Sequence, residues 1–136
     1  MALFVTDERL AKDSSLLRQF VISDLRLMED ARFPWLLLVP RREGATELID
    51  LPRADQTLLL AEIETVSRAL KSATQCDKLN VAAIGNVVPQ LHIHIVARFR
   101  SDAAWPRPVW GFGQAVAYGA EQRDKLVSRL TAALPA

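Results

Sequence analysis

The sequence predicts a fold that mixes strands with helices, and three observations carry that expectation. Segments 20–27 and 90–99 roughly alternate apolar and polar residues, segments 35–39 and 79–84 are short apolar runs, and two later stretches repeat at helical spacing. With 136 residues, 50% of them hydrophobic, 24% charged, and only 5 Gly and 7 Pro, the composition is that of a folded chain, read as one domain spanning 1–136.

Taken in order, residues 1–19 carry the weakest signal: Asp7–Leu10 suits one helical turn, and Asp13-Ser14-Ser15 suits the cap of a short helix. A first strand is expected over 20–27, where Arg26 is flanked by Leu25 and Leu27. Glu29–Pro34 is a polar connection, and Pro34 biases Phe33 toward extended backbone. The wholly apolar Trp35-Leu36-Leu37-Leu38-Val39, closed by Pro40, reads as a central strand covered on both faces. Pro52 suits the first turn of a helix, and Leu59, Ile63, Val66 and Leu70 then recur on one face, which predicts a long helix to about Thr74. Leu79–Ile84 and Gln90–Phe99 read as the two strands of a hairpin, with Gly85-Asn86 as the turn signal between them. A last helix is expected from Leu126, Leu130 and Leu134, with Glu121 near its N-terminus, where the helix dipole favours negative charge.

Charge and cysteine usage narrow the function classes. The 17 Lys and Arg against 16 Asp and Glu leave no net positive field to hold nucleic acid or an anionic membrane. The lone Cys76 has no partner for an internal disulfide and suits a reducing compartment. The start of the chain lacks a basic leader, and Trp35–Val39 falls far short of the roughly 20 apolar residues that span a bilayer. A cytoplasmic protein without membrane or nucleic-acid partners is the expectation.

Both histidines fall in one segment, Val87 to Val96, and period two would put Gln90, His92 and His94 on one strand face with Leu91, Ile93 and Ile95 turned to the core. Three chemistries are open to such a pair. It can be structural; it can supply two zinc ligands, with a third from Cys76 or an acidic residue; or one neutral imidazole can act as a nucleophile while its other nitrogen is held by a hydrogen bond. Glycine-rich phosphate loops of the G-x-x-x-x-G-K and G-x-G-x-x-G types are absent.

Gln90-Leu91-His92-Ile93-His94-Ile95-Val96 resembles the histidine triad motif of the HIT family of nucleotide hydrolases and transferases, with Gln90 where the first histidine would stand. The order of elements over about 20–111 is similar to that family's layout, and Ala104-Trp105-Pro106 is similar to a Trp-Pro element in some of its branches. The resemblance implies an α+β fold, with an antiparallel sheet of about five strands, one long helix packed on it and a C-terminal helix. It also implies a homodimer and a small-molecule nucleotide substrate, with no metal or other cofactor. In this reading His92 attacks the α-phosphate of a purine nucleotide conjugate, forming a nucleotidyl-histidine, and His94 bonds the phosphate region and helps the leaving group depart. Asn80, the backbone around Asn86 and Gln90 would donate to the non-bridging oxygens, and Asp30 or Glu29 would hold the ribose.

Trp105 and Trp110 are candidates to wall a base or leaving-group pocket. Arg41, Arg42, Arg98, Arg100 and Arg107 are candidates to draw in an anionic substrate. Gln90 cannot carry charge near neutral pH, and Val87 offers no hydroxyl where family members often place one. Two alternatives therefore accompany the enzyme: a non-catalytic nucleotide-binding module, and a metal-dependent enzyme with His92 and His94 as ligands.

Overall fold

The computed structural model describes residues 3–136; Met1 and Ala2, where the leader reading begins, lie outside them. A short helix α1 (Glu8–Asp13) leads into strands β1 (Ser14–Gln19), β2 (Ser23–Met28) and β3 (Trp35–Pro40). A long helix α2 (Arg53–Thr74), strands β4 (Lys78–Ala82) and β5 (Ile93–Arg98) and a final helix α3 (Ala120–Ala133) complete the order. The strands form one antiparallel sheet in the order β1-β2-β3-β5-β4. This is the α+β, five-strand arrangement with a long helix and a C-terminal helix that the resemblance implies.

The first strand differs from the reading of 20–27. The chain makes two strands there, β1 and β2, joined by a turn in which the Phe20 amide donates to the Ser23 carbonyl at 2.7 Å. β1 hides from a periodicity search because its pairing with β2 slips between Leu16 and Arg18, a bulge that breaks the two-residue repeat. The helical turn near Asp7 is present and longer than expected, since the Asp7 side chain accepts from the Arg9 amide and caps α1. The second proposed cap at Asp13-Ser14-Ser15 does not form: Asp13 ends α1 and Ser14 opens β1.

All six residues of β3 are buried, as a central strand with two covered faces requires. Leu36 and Leu38 face one side with Ile93, Ile95 and Ala97, and there Leu59, Val66, Leu70 and Leu130 of α2 and α3 cover them. Each fully buried aliphatic side chain contributes roughly 1.5–3 kcal/mol, so this layer dominates the fold's stability. Trp35, Leu37 and Val39 face the other side with Val96, under Leu10 of α1 and Phe33, Val88, Ala104 and Val109 from the loops. α2 runs over the range its periodicity predicts, with Pro52 as the capping residue just outside it rather than in its first turn.

The hairpin pairing of β4 with β5 is present, but a ten-residue connection, 83–92, replaces a tight turn. Gly85 does reverse the chain there, at φ +67°, a conformation that glycine adopts without steric cost. β5 begins at Ile93, so Gln90 and His92 belong to the loop that feeds the strand, and only His94 is on the ladder, opposite Leu37 and Ala82.

Arg98, at the end of β5 and 2% exposed, fastens the following loop to the sheet. Its guanidinium donates to both Asp102 oxygens (2.8 and 3.1 Å), to Asn80 Oδ1 (2.9 Å) and to the Arg107 carbonyl (2.7 Å). Burial alone would raise the Asp102 carboxyl, but Arg98 and the Phe99 and Trp105 amides hold it below its ordinary value. Replacing Arg98 by Met strands a buried carboxylate, and chemical denaturation should show a loss of about 3–5 kcal/mol.

Candidate active site

His92 and His94 lie side by side, ring centroids 4.8 Å apart and planes at 67°, each 6% exposed. Their hydrogen bonds give them different tautomers. His92 Nδ1 lies 2.7 Å from the Gln90 carbonyl, which can only accept, so Nδ1 carries the proton and the neutral ring keeps its lone pair on Nε2. Trp35 Nε1 donates to His94 Nδ1 at 3.0 Å, and an indole N–H can only donate, so the His94 lone pair is on Nδ1 and its proton on Nε2. One ring therefore presents a nucleophilic nitrogen and the other a hydrogen-bond donor.

Sequence and local structure explain both settings. The Gln90 carbonyl reaches His92 because the chain turns from loop to strand between them. Trp35 opens β3 beside β5, and its indole crosses to the His94 ring, centroids 5.7 Å apart. Burial, and secondarily the neighbouring His92, lowers the His94 pKa from 6.5 to about 3. His94 is thus held neutral at physiological pH, and protonating its Nδ1 would set two N–H donors against each other.

The Gln90 side chain turns away from the pair. Its Oε1 accepts from the Asp7 amide (2.8 Å) and its Nε2 donates to the Val5 carbonyl (2.9 Å), so the amide joins the N-terminal segment as a peptide group would. Arg9 adds a bond to the Val87 carbonyl at 3.0 Å. The Asp7 carboxyl is held below its ordinary value chiefly by its hydrogen bonds with Arg9. On the other side a cleft of about 20 Å³, room for roughly one water molecule, reaches His92 between Glu47, Ile84, Gly85 and Leu91.

This arrangement has clear relatives. The profile of the HIT domain matches residues 10–101. The chain belongs to the HIT domain family. Among solved structures, a histidine triad protein from Bradyrhizobium japonicum is 48% identical, with a TM-score of 0.96 over 98% of this chain and 100% of that one. A histidine triad (HIT) protein from Sinorhizobium meliloti is 41% identical, with a TM-score of 0.93 over 96% of this chain and 97% of that one. A hypothetical histidine triad nucleotide-binding protein from Sulfolobus tokodaii shares the fold at 17% identity, with a TM-score of 0.67 over 88% of this chain and 83% of that one. No curated protein matches the chain.

Within this HIT domain the other sequence-predicted residues have varied places. Asn80, on β4, commits its Oδ1 to Arg98. Asn86 is exposed in the loop after Gly85. Asp30 is 3% exposed, and Arg32 and the Arg32 and Val116 amides occupy its oxygens, clasping the 112–118 segment to the β2–β3 turn. Glu29 pairs with Arg123. Trp105 lies beside Arg98, whose guanidinium is 5.6 Å from its ring. Trp110 is the tryptophan of that loop that meets the pair, its ring 5.3 Å from His94.

Three of the arginines expected to attract an anion are neutralised: Arg41 pairs with Asp24, Arg42 with Asp55 and Arg98 with Asp102. Among the described residues no group of three or more His, Cys, Asp or Glu is placed to share a metal ion. The reading of the sequence missed Trp35, taken there as core alone. The available signal was chemical: a buried indole needs an acceptor for its N–H.

Two measurements check this geometry. His94 is depressed in the folded state, so its contribution to stability is present above pH 6.5 and is lost as pH falls toward 3. Unfolding free energies at pH 7 and 4.5 should accordingly differ less in His94→Asn than in wild type. Gln90→Ala should speed hydrogen exchange of the Asp7 amide by tenfold or so, an effect of about 1.4 kcal/mol, with β3 amides unchanged.

Proposed function

We propose that the chain is a nucleotide hydrolase or nucleotidyltransferase that cleaves a phosphoanhydride or phosphoramidate bond at the α-phosphate of a purine nucleotide. The observation that carries this reading is the divided tautomer state of the pair: a lone pair on His92 Nε2 next to an N–H on His94 Nε2. Family membership and the nucleotide-binding name of the Sulfolobus relative support a nucleotide as the ligand.

The lone pair of His92 Nε2 forms a bond to the α-phosphorus as the bond from phosphorus to the leaving group breaks, and the leaving group takes that electron pair. The Gln90 carbonyl holds the Nδ1 proton and stabilises the positive ring that results. Water, or an acceptor nucleotide, then attacks the phosphorus and returns the pair to Nε2. His94 donates a hydrogen bond to a phosphoryl or leaving-group oxygen; as a neutral imidazole it has no proton to give away in this pH range. Asn80, the backbone around Asn86 and Gln90, through its carbonyl, complete the proposed set, with Asp30 and Trp105 as outer members that a bound nucleotide would have to recruit.

One domain over 1–136, in a branch of the family with Gln90 at the first triad position, is part of the same proposal, as is a cytoplasmic homodimer. No helix among the described residues is long and apolar enough to cross a membrane. An apolar groove of about 350 Å³ on α2, lined by Leu48, Leu59, Leu60 and Ile63, and the outer edge of β4 support a second copy as partner.

A specific observation favours the non-catalytic alternative: the Gln90 amide is already taken by the N-terminal backbone. Purified wild type and His92→Ala, incubated with diadenosine polyphosphates and with an adenosine phosphoramidate, decide between them. Wild type should release AMP from at least one of them, and His92→Ala should be slower by roughly 10³-fold or more. Nucleotide binding without release in either protein would establish the binding module instead.

A further inference from the structure

We propose that Trp110 is a substrate-binding residue whose indole N–H is the second hydrogen-bond donor to an oxygen of the ligand at the histidine pair; this rests on the nucleotide reading above. Trp110 Nε1 is buried and has no hydrogen-bond partner in the protein. Two other buried side-chain atoms among the described residues share that condition, Ser23 Oγ and Glu62 Oε1. Ser23 belongs to the layer away from the histidines, and Glu62 lies on α2, where its other oxygen accepts from the Ile22 amide. Only Trp110 is at the pair, its ring edge-on to His94 at 5.3 Å and to Trp35 at 6.1 Å.

The surroundings explain why the protein cannot satisfy this donor. In the adjoining His94 ring, Nδ1 is occupied by Trp35 and Nε2 carries a proton, so that ring offers Trp110 no acceptor. Two N–H groups without a protein acceptor, His94 Nε2 and Trp110 Nε1, thus belong to adjoining rings, with the His92 ring centroid 4.8 Å from that of His94. A buried N–H left unpaired costs about 1–3 kcal/mol, and a ligand that brings oxygen acceptors recovers it. Phosphoryl oxygens fit that shortage, since they bring negative charge and no competing donors. The loop that carries Trp110 is held against β5 by Arg98 through Asp102 and the Arg107 carbonyl, so the donor is positioned before a ligand arrives.

The chain has 3 Trp, so its indole N–H resonances can each be assigned, Trp110 by its loss in Trp110→Phe, which keeps an aromatic ring. On titrating the wild type with AMP, the Trp110 resonance should move downfield while that of Trp35, already bonded to His94, stays in place. Trp110→Phe should weaken AMP binding by about tenfold, as expected for a hydrogen bond to a charged group. AMP binding that leaves the Trp110 resonance unmoved, or undiminished AMP affinity in Trp110→Phe, overturns the assignment and leaves the nucleotide reading standing. If AMP moves the resonance but no His92-dependent release occurs, the assignment stands and the catalytic reading falls. Failure of AMP to bind the wild type removes both.

Discussion

The site depends on one hydrogen bond, from Trp35 Nε1 to His94 Nδ1. It joins the first residue of β3 to the second residue of β5, two neighbouring strands inside the sheet. By occupying the only lone pair of a neutral imidazole it decides where the His94 proton is and removes the His94 ring as an acceptor for Trp110, while burial keeps that ring uncharged. An unprotonated His94 in turn spares His92 a cationic neighbour at 4.8 Å, which would otherwise draw on the lone pair that gives the pair its chemistry.

Around that bond, the two faces of the sheet divide the labour. The face under α2 and α3 is aliphatic, with leucine, isoleucine and valine stacked at full burial. The opposite face is aromatic and polar: Phe33, Trp35 and Trp110 with both histidines, and Arg98 at its edge over the Phe33 and Trp105 rings. A buried guanidinium is tolerable there because four of its five N–H donors are met by Asp102, Asn80 and the Arg107 carbonyl. The stability of the first face allows the second to hold groups that a core would otherwise exclude.

Much of this was legible in the residues. The α2 repeat of Leu59, Ile63, Val66 and Leu70 and the unbroken β3 run each reflect one strong local preference, and each lies where that preference points; the His92-x-His94 spacing brings the two rings together, with only His94 on the strand. β1 was not legible, because its bulge cancels the alternation that marks a strand. Gln90 was placed by period two on a strand that starts only at Ile93, so its carbonyl rather than its side chain meets His92. Asp30 reads as an exposed loop carboxylate, yet the distant Val116 amide and the nearby Arg32 bury it. The missing information was a bulge for β1, the true start of β5 for Gln90, and for Asp30 the distant Val116 amide.

The Gln90 side chain bridges residues 83 and 85 positions away, at Asp7 and Val5. Closing so long a loop costs entropy that one amide cannot supply, so the bridge can persist only once the sheet has already brought the two ends together. The His94 tautomer needs β3 beside β5 and the His92 tautomer needs only the Gln90 carbonyl two residues away, so neither depends on the N-terminal bridge. Undoing that bridge needs no strand to separate, so the segment before α1 can leave the histidines without disturbing the bonds that set their chemistry.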